Sequence, residues 1–231
     1  MTTENSNSQA MTYIRTNLLI LIALALITSL SMAEPTLPNT VREMRIELDR
    51  VNFDLKGKDA KIRRLEEILP HSEALAEKNS KDAGFQMMAG FYNAQYASYR
   101  GGIGALKYAK ASRKYLTQSV KLDPTIYGSS AHTVLGTLYA QVPGWPVGFG
   151  DKKKALNNYQ VALKLSPNGL DSNFTYAQYL FSQKKYKGAK RYLEKAALAP
   201  PRPDRPKADS DVSKRISKGL KKIEQRLAEN G

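Results

Sequence analysis

Leu135-Gly136-Thr137-Leu138-Tyr139, followed by Ala155, Tyr159, Ala162 and Pro167, returns as Tyr176-Ala177-Gln178-Tyr179-Leu180, followed by Ala189, Leu193, Ala196 and Pro201. The second half of each set recurs at an offset of 34 residues and the first half at 41, so the earlier copy carries seven extra residues. They lie within Val142-Pro143-Gly144-Trp145-Pro146-Val147-Gly148-Phe149-Gly150-Asp151. Small residues at fixed spacing let two antiparallel helices approach closely, larger ones fill the space between them, and a proline ends the second helix. Such a unit cannot bury its apolar face alone and does so by stacking on its neighbour, so the repetition itself predicts an all-α solenoid of helical hairpins.

A period of 34 with Leu-Gly and Tyr in the first helix, then Ala, an aromatic residue or Leu, Ala and a closing Pro, resembles the tetratricopeptide repeat (TPR) family. The resemblance is strongest over two repeats, 128–167 and 168–201. It is weaker over 80–124, where Leu116, Ser119 and Pro124 keep the register of a second helix, and absent before about residue 40. The insert, Val142 to Pro146 running into Phe149-Gly150-Asp151, is similar to one in bacterial TPR proteins, some of them like the TPR subunit associated with TRAP-type transporters. The resemblance implies eight or nine helices whose first members line a concave face. By register it places Ser130, Thr133 and Thr137 of one repeat, and Asp171, Phe174, Gln178 and Phe181 of the next, in a partner-binding groove.

Outward from the repeats, Thr40 and Glu43 form a capping-box pattern, and Val41, Met44, Leu48, Val51 and Leu55 follow at helical steps. Residues 34–58 are thus a spacer and an N-terminal amphipathic helix, and 59–201 the repeat domain. Ala60 to Leu69 reads as a helix stopped by Pro70, with a new one from Ser72. Met87, Met88, Phe91, Tyr92, Tyr96 and Tyr99 make an aromatic stripe whose spacing suits packing between helices better than a ligand box. Residues 202–231 read as a Pro-rich strap and a basic helix. There Val212, Ile216, Leu220, Ile223 and Leu227 share one face and Lys214, Arg215, Lys218, Lys221, Lys222 and Arg226 the other. A solenoid needs a cap with one apolar and one polar face, although such a helix can also lie on an anionic surface.

The chain of 231 residues has 42% apolar and 25% charged residues and no Cys, which excludes disulfides and a lipid-modified cysteine. Arg15 precedes the apolar run Leu18 to Leu30, with small residues at Ser31-Met32-Ala33. Residues 1–33 therefore read as a signal peptide cut near Ala33/Glu34, and the protein as periplasmic or secreted. The alternative, an uncleaved anchor, needs a longer run, since a spanning helix takes about 20 apolar residues. The formal net charge is +15, and residues 151–231 hold 19 Lys and Arg against 8 Asp and Glu, a net +11. For an exported chain this makes nucleic acid a poor partner and an anionic envelope surface a better one.

Chemistry has little to work with. There are two histidines, His71 and His132, and no pair at metal-ligand spacing, so neither metal nor cofactor is expected, and no enzyme. Gly148-Phe149-Gly150-Asp151-Lys152-Lys153 enters a helix but lacks the spacing of a nucleotide loop. Trp145 and Phe149 are expected to pin the insert onto neighbouring helices while Asp151 caps the next one, which makes it a structural clamp; the alternative is a groove rim. The expected function is an exported, non-enzymatic scaffold or adaptor that binds a protein or peptide on its concave face. Alternatives are a small-solute carrier or transporter accessory, and an envelope binder acting through the C-terminal helix.

Overall fold

Thr40 opens the first helix, α1 (Val41–Phe53): its hydroxyl accepts from the Glu43 amide at 3.2 Å, and the Glu43 carboxylate accepts from the Thr40 amide at 3.1 Å. The computed structural model describes residues 37–229, so the leader read at 1–33 lies outside the described residues. Gly57, at φ 78°, turns the chain into α2 (Lys58–Lys78). Asp82 starts α3 (Ala83–Arg100) by accepting from the Gly84 and Phe85 amides, and α4 (Ala105–Leu122) returns along it. Then come α5 (Ser130–Gln141), α6 (Lys152–Leu165), α7 (Leu170–Ser182), α8 (Tyr186–Ala197) and α9 (Pro206–Glu229). Among the described residues every regular element is a helix.

One boundary departs from expectation. Pro70 does not stop a helix at Leu69 but lies inside α2. A proline removes one backbone hydrogen bond, yet Leu65, Ile68 and Leu69 before it and Ser72 and Ala76 after it are all buried, and that continuous packing outweighs the loss. The Ser72 hydroxyl, donating to the Leu69 carbonyl at 2.9 Å, bridges the weakened turn.

Helices α3 and α4, α5 and α6, and α7 and α8 form three antiparallel hairpins, and the sequence pattern explains how closely they approach. A Cβ on Gly90 would sit 2.6 Å from Leu116, and one on Gly136 would sit 2.9 Å from the Tyr159 ring, so each glycine makes room for the large residue of its partner helix. Ala177 occupies the corresponding place in the third hairpin and is fully buried, as are Ala155, Ala162, Ala189 and Ala196. The stripe on α3 is core. Tyr92 donates to the Met44 carbonyl at 2.6 Å, Tyr96 to Glu66 at 2.6 Å and Tyr99 to Asn52 at 3.0 Å, which seats α1 and α2 on the first hairpin.

At the other end α9 is a cap. Val212, Ile216 and Ile223 are buried against Leu170, Phe174, Ala177 and Leu193, while Lys214, Lys218, Lys221 and Lys222 stay exposed. The strap before it returns to the start of the chain. Arg205 grips Asp49 of α1 with two hydrogen bonds, 3.0 Å from Nε and 2.7 Å from Nη2. Asp204 pairs with Arg45 at 2.7 Å, and Lys207 with Asp54. Helix α1 thus meets α9, and the row of inner helices α1, α3, α5, α7 and α9 closes on itself.

Candidate functional site

Helices α3, α4, α5 and α7, with Tyr159 of α6 and Arg215 of α9, line an open cleft of about 880 Å³. Its walls carry Gln95 and Ser98 of α3, Thr133, Thr137 and Gln141 of α5, Thr175, Gln178 and Ser182 of α7, and Arg215 of α9, between apolar patches from Ala94, Leu106, Val134 and Val142. Hydroxyls and amides therefore outnumber charges. Thr137 donates to the Thr133 carbonyl at 3.0 Å and lies 3.2 Å from the Tyr159 hydroxyl. Burial pushes that phenol up to about 12, so at neutral pH the wall there is an uncharged hydrogen-bonding surface.

Three of the seven residues assigned to the groove, Thr133, Thr137 and Gln178, line this cleft. Of these Thr133 is buried, its hydroxyl donating to the Ser129 carbonyl at 2.9 Å, while Gln178 is exposed. The others serve elsewhere. Ser130 donates to the Tyr127 carbonyl at the start of α5. Asp171 pairs with Arg202 at 2.6 Å and, more loosely, with Arg205 at 3.8 Å. Phe174 is only 4% exposed, in the core beneath α9 with the Arg215 guanidinium 4.7 Å over its ring, and Phe181 packs on Tyr186. The register argument failed at Asp171 and Phe174 because the cap and strap cover the first turns of α7. Gln95, Ser98, Gln141, Thr175 and Ser182 went unnamed. Thr175 and Ser182 lie three residues before and four after Gln178, one helical stripe, and that spacing could have found them.

The insert differs from expectation in one ring. Asp151 caps α6 as read, accepting from the Lys153 and Lys154 amides at 2.9 and 3.0 Å. Phe149 is half-buried, edge-on to Tyr139 at 5.7 Å with the Arg113 guanidinium 4.2 Å from its centre. Trp145, expected to pin the insert, is instead 90% exposed. The backbone holds the loop without it. The Gly150 amide donates to the Pro143 carbonyl at 2.8 Å, the Asp151 amide to Tyr139 at 2.9 Å, and a Cβ on Gly150 would collide with the Val142 carbonyl oxygen. Val142, Pro143 and Val147 border the cleft, so the insert is also its rim.

His71 Nε2 lies 3.0 Å from the Pro38 carbonyl oxygen, and His132 Nδ1 lies 3.0 Å from Asn158 Oδ1. Among the described residues no group of three or more His, Asp and Glu is placed to hold a metal, and no helix is long and apolar enough to cross a membrane.

No protein-family model matches the sequence, and no curated protein does. Among solved structures, TTC0263, a thermophilic TPR protein of Thermus thermophilus, aligns over 78% of this chain and 88% of its own, with a TM-score of 0.55 and 16% identity. The fold is that of a TPR solenoid. MamA protein also aligns, over 79% of this chain and 91% of its own, at a TM-score of 0.44 and 14% identity. In this fold α3, α5 and α7 are the first helices of the three hairpins, and each contributes residues to the cleft.

Proposed function

We propose that this chain is an exported, non-enzymatic adaptor that takes a protein or peptide segment into its concave cleft, within envelope assembly or as an accessory to solute uptake. The supporting observation is the cleft itself. It is open to solvent, its walls alternate amides and hydroxyls with small apolar patches, and helix backbones fix the positions of those groups. Such a surface matches the donors, acceptors and side chains of a polypeptide. A small-solute carrier calls for an enclosed cavity, and the open mouth favours the adaptor.

A photoreactive amino acid at Gln178, in the cleft, and another at Gln160, exposed on α6, distinguish these readings in the native envelope. The adaptor reading expects a discrete polypeptide adduct at Gln178 and none at Gln160. Adducts at Gln160 alone, or none at either position, contradict it.

A further inference from the structure

Among the described residues Ile46, Leu122, Tyr127 and Leu198 are exposed large hydrophobics at separate places in the chain, whereas three others fall on two loops beside one cleft. Ile103 and Trp145, each 90% exposed, and Val147, 57% exposed, stand on two loops that both border the cleft, through Gly102 and Ile103 on one and Pro143 and Val147 on the other. The insert passes close to the first turn of α4, which follows the Ile103 loop directly: a Cβ on Gly148 would lie 3.4 Å from Leu106 Cδ1. Both are shaped to project. Gly101 and Gly102 have φ of 66° and 64°, and the insert is held by its own backbone hydrogen bonds rather than by Trp145.

The stretch of chain that carries both loops is strongly cationic. Between Asp82 and Asp171 the sequence contains just two carboxylates, Asp123 and Asp151, against ten Lys and Arg. Both carboxylates are committed to local turns, Asp123 to Thr125 and Asp151 to the start of α6. Lys152, Lys153 and Lys154 follow the insert directly and are exposed, as is Lys107 beside Leu106. On the neighbouring α2, Glu66 and Glu73 accept hydrogen bonds from Tyr96 and Asn93.

We infer that this rim is a membrane-contact tip, in which Trp145, Ile103 and Val147 enter the headgroup region of an anionic lipid surface and the lysine collar binds its phosphates. Three projecting side chains are too few for a stable protein interface, which takes about 800 Å² from each partner. They suffice for an interfacial anchor, where an amphipathic indole sits at headgroup level and each nearby cation adds attraction to anionic lipid. The C-terminal helix is excluded as the inserting element, because Val212, Ile216 and Ile223 are already buried in the core. The inference is independent of what occupies the cleft.

The chain has a single tryptophan, so its fluorescence reports on this tip alone, even in the full chain with its apolar leader. Vesicles of equal phosphatidylglycerol and phosphatidylcholine are expected to shift the emission to the blue and to protect it from acrylamide; phosphatidylcholine vesicles are not. Ile103→Ser with Val147→Ser, both exposed positions, keeps the reporter and weakens the midpoint roughly tenfold. Lys152→Glu with Lys153→Glu weakens it by roughly fivefold or more for each cation removed. Flotation of the chain on anionic vesicles with Trp145 emission unchanged overturns the inference and assigns binding to another segment. A blue shift that appears with a polypeptide partner but never with lipid also overturns it, and makes the rim part of a protein interface.

Discussion

Hairpins α5–α6 and α7–α8 are built from equivalent residues and both line the cleft, yet less of the inner face of the second stays open. Gly136 and Ala177 hold the same place, as do Tyr159 and Leu193, but α5 faces the open cleft with Thr137 and Gln141, whereas the first turns of α7 lie under α9 and the strap. A repeat position therefore specifies where a side chain points along the solenoid. What it meets there depends on the neighbour, and for the last hairpin the neighbour is a cap rather than solvent.

The largest effect expected from breaking this arrangement is at Phe174. Its ring is enclosed between α7 and α9, so Phe174→Ala should destabilise the protein by about 3–5 kcal/mol, read by chemical denaturation. Gln178→Ala, one turn away and exposed, should leave the denaturation midpoint in place and weaken the cleft partner. Equal stability of the two variants would mean that α9 does not cover α7. Next comes the small-to-large contact in the other hairpin: Gly136→Val should cost about 1–3 kcal/mol, because a branched side chain must displace the Tyr159 ring.

The closure of the inner row tests smaller energies. Arg205→Ala leaves Asp49 without its bidentate partner, and with both side chains about a quarter exposed the loss should be about 1–2 kcal/mol, shrinking at high salt. A salt-independent loss would point to packing of the Arg205 stem instead. The tyrosine of the α5–α6 hairpin adds a pH signature that Leu193 cannot. Tyr159 holds its proton up to about 12 in the folded chain, whereas an unfolded tyrosine releases it near 10. Its contribution is complete below about pH 10 and is lost as pH rises from there toward 12, so Tyr159→Leu, which copies the other repeat, should flatten part of the alkaline decline. The smallest effect is at Trp145, where replacement by Ala should change stability by less than about 0.5 kcal/mol, since an exposed ring leaves no cavity.

Local rules explain most of what was legible in the chain. The Thr40–Glu43 box, the Asp151 cap and the small residue facing Tyr159 each depend on residues within one helix or one hairpin, and each took the expected form, as did the packing of the stripe from Met87 to Tyr99, whose periodicity lies within one helix. Where the readings failed, the deciding partner was remote. Pro70 was read as a stop, but packing along the whole of α2 carries the helix through it. Trp145 was read as pinning the insert onto neighbouring helices, whereas backbone hydrogen bonds, the Asp151 cap and the Phe149–Tyr139 contact hold the loop without it.

By itself the sequence determined the repeat, the hairpins and the amphipathic cap, because these follow from periodicities of a few residues and from side-chain volumes that every helical packing must satisfy. Only the tertiary structure decided which inner face stays open. That depended on Arg205 reaching Asp49, 156 residues away in the chain, and on a cap folding over Asp171 and Phe174. Such pairings leave no periodic trace, since a charge on a Pro-rich strap is locally satisfied by water and acquires its partner only when the solenoid curves back on itself.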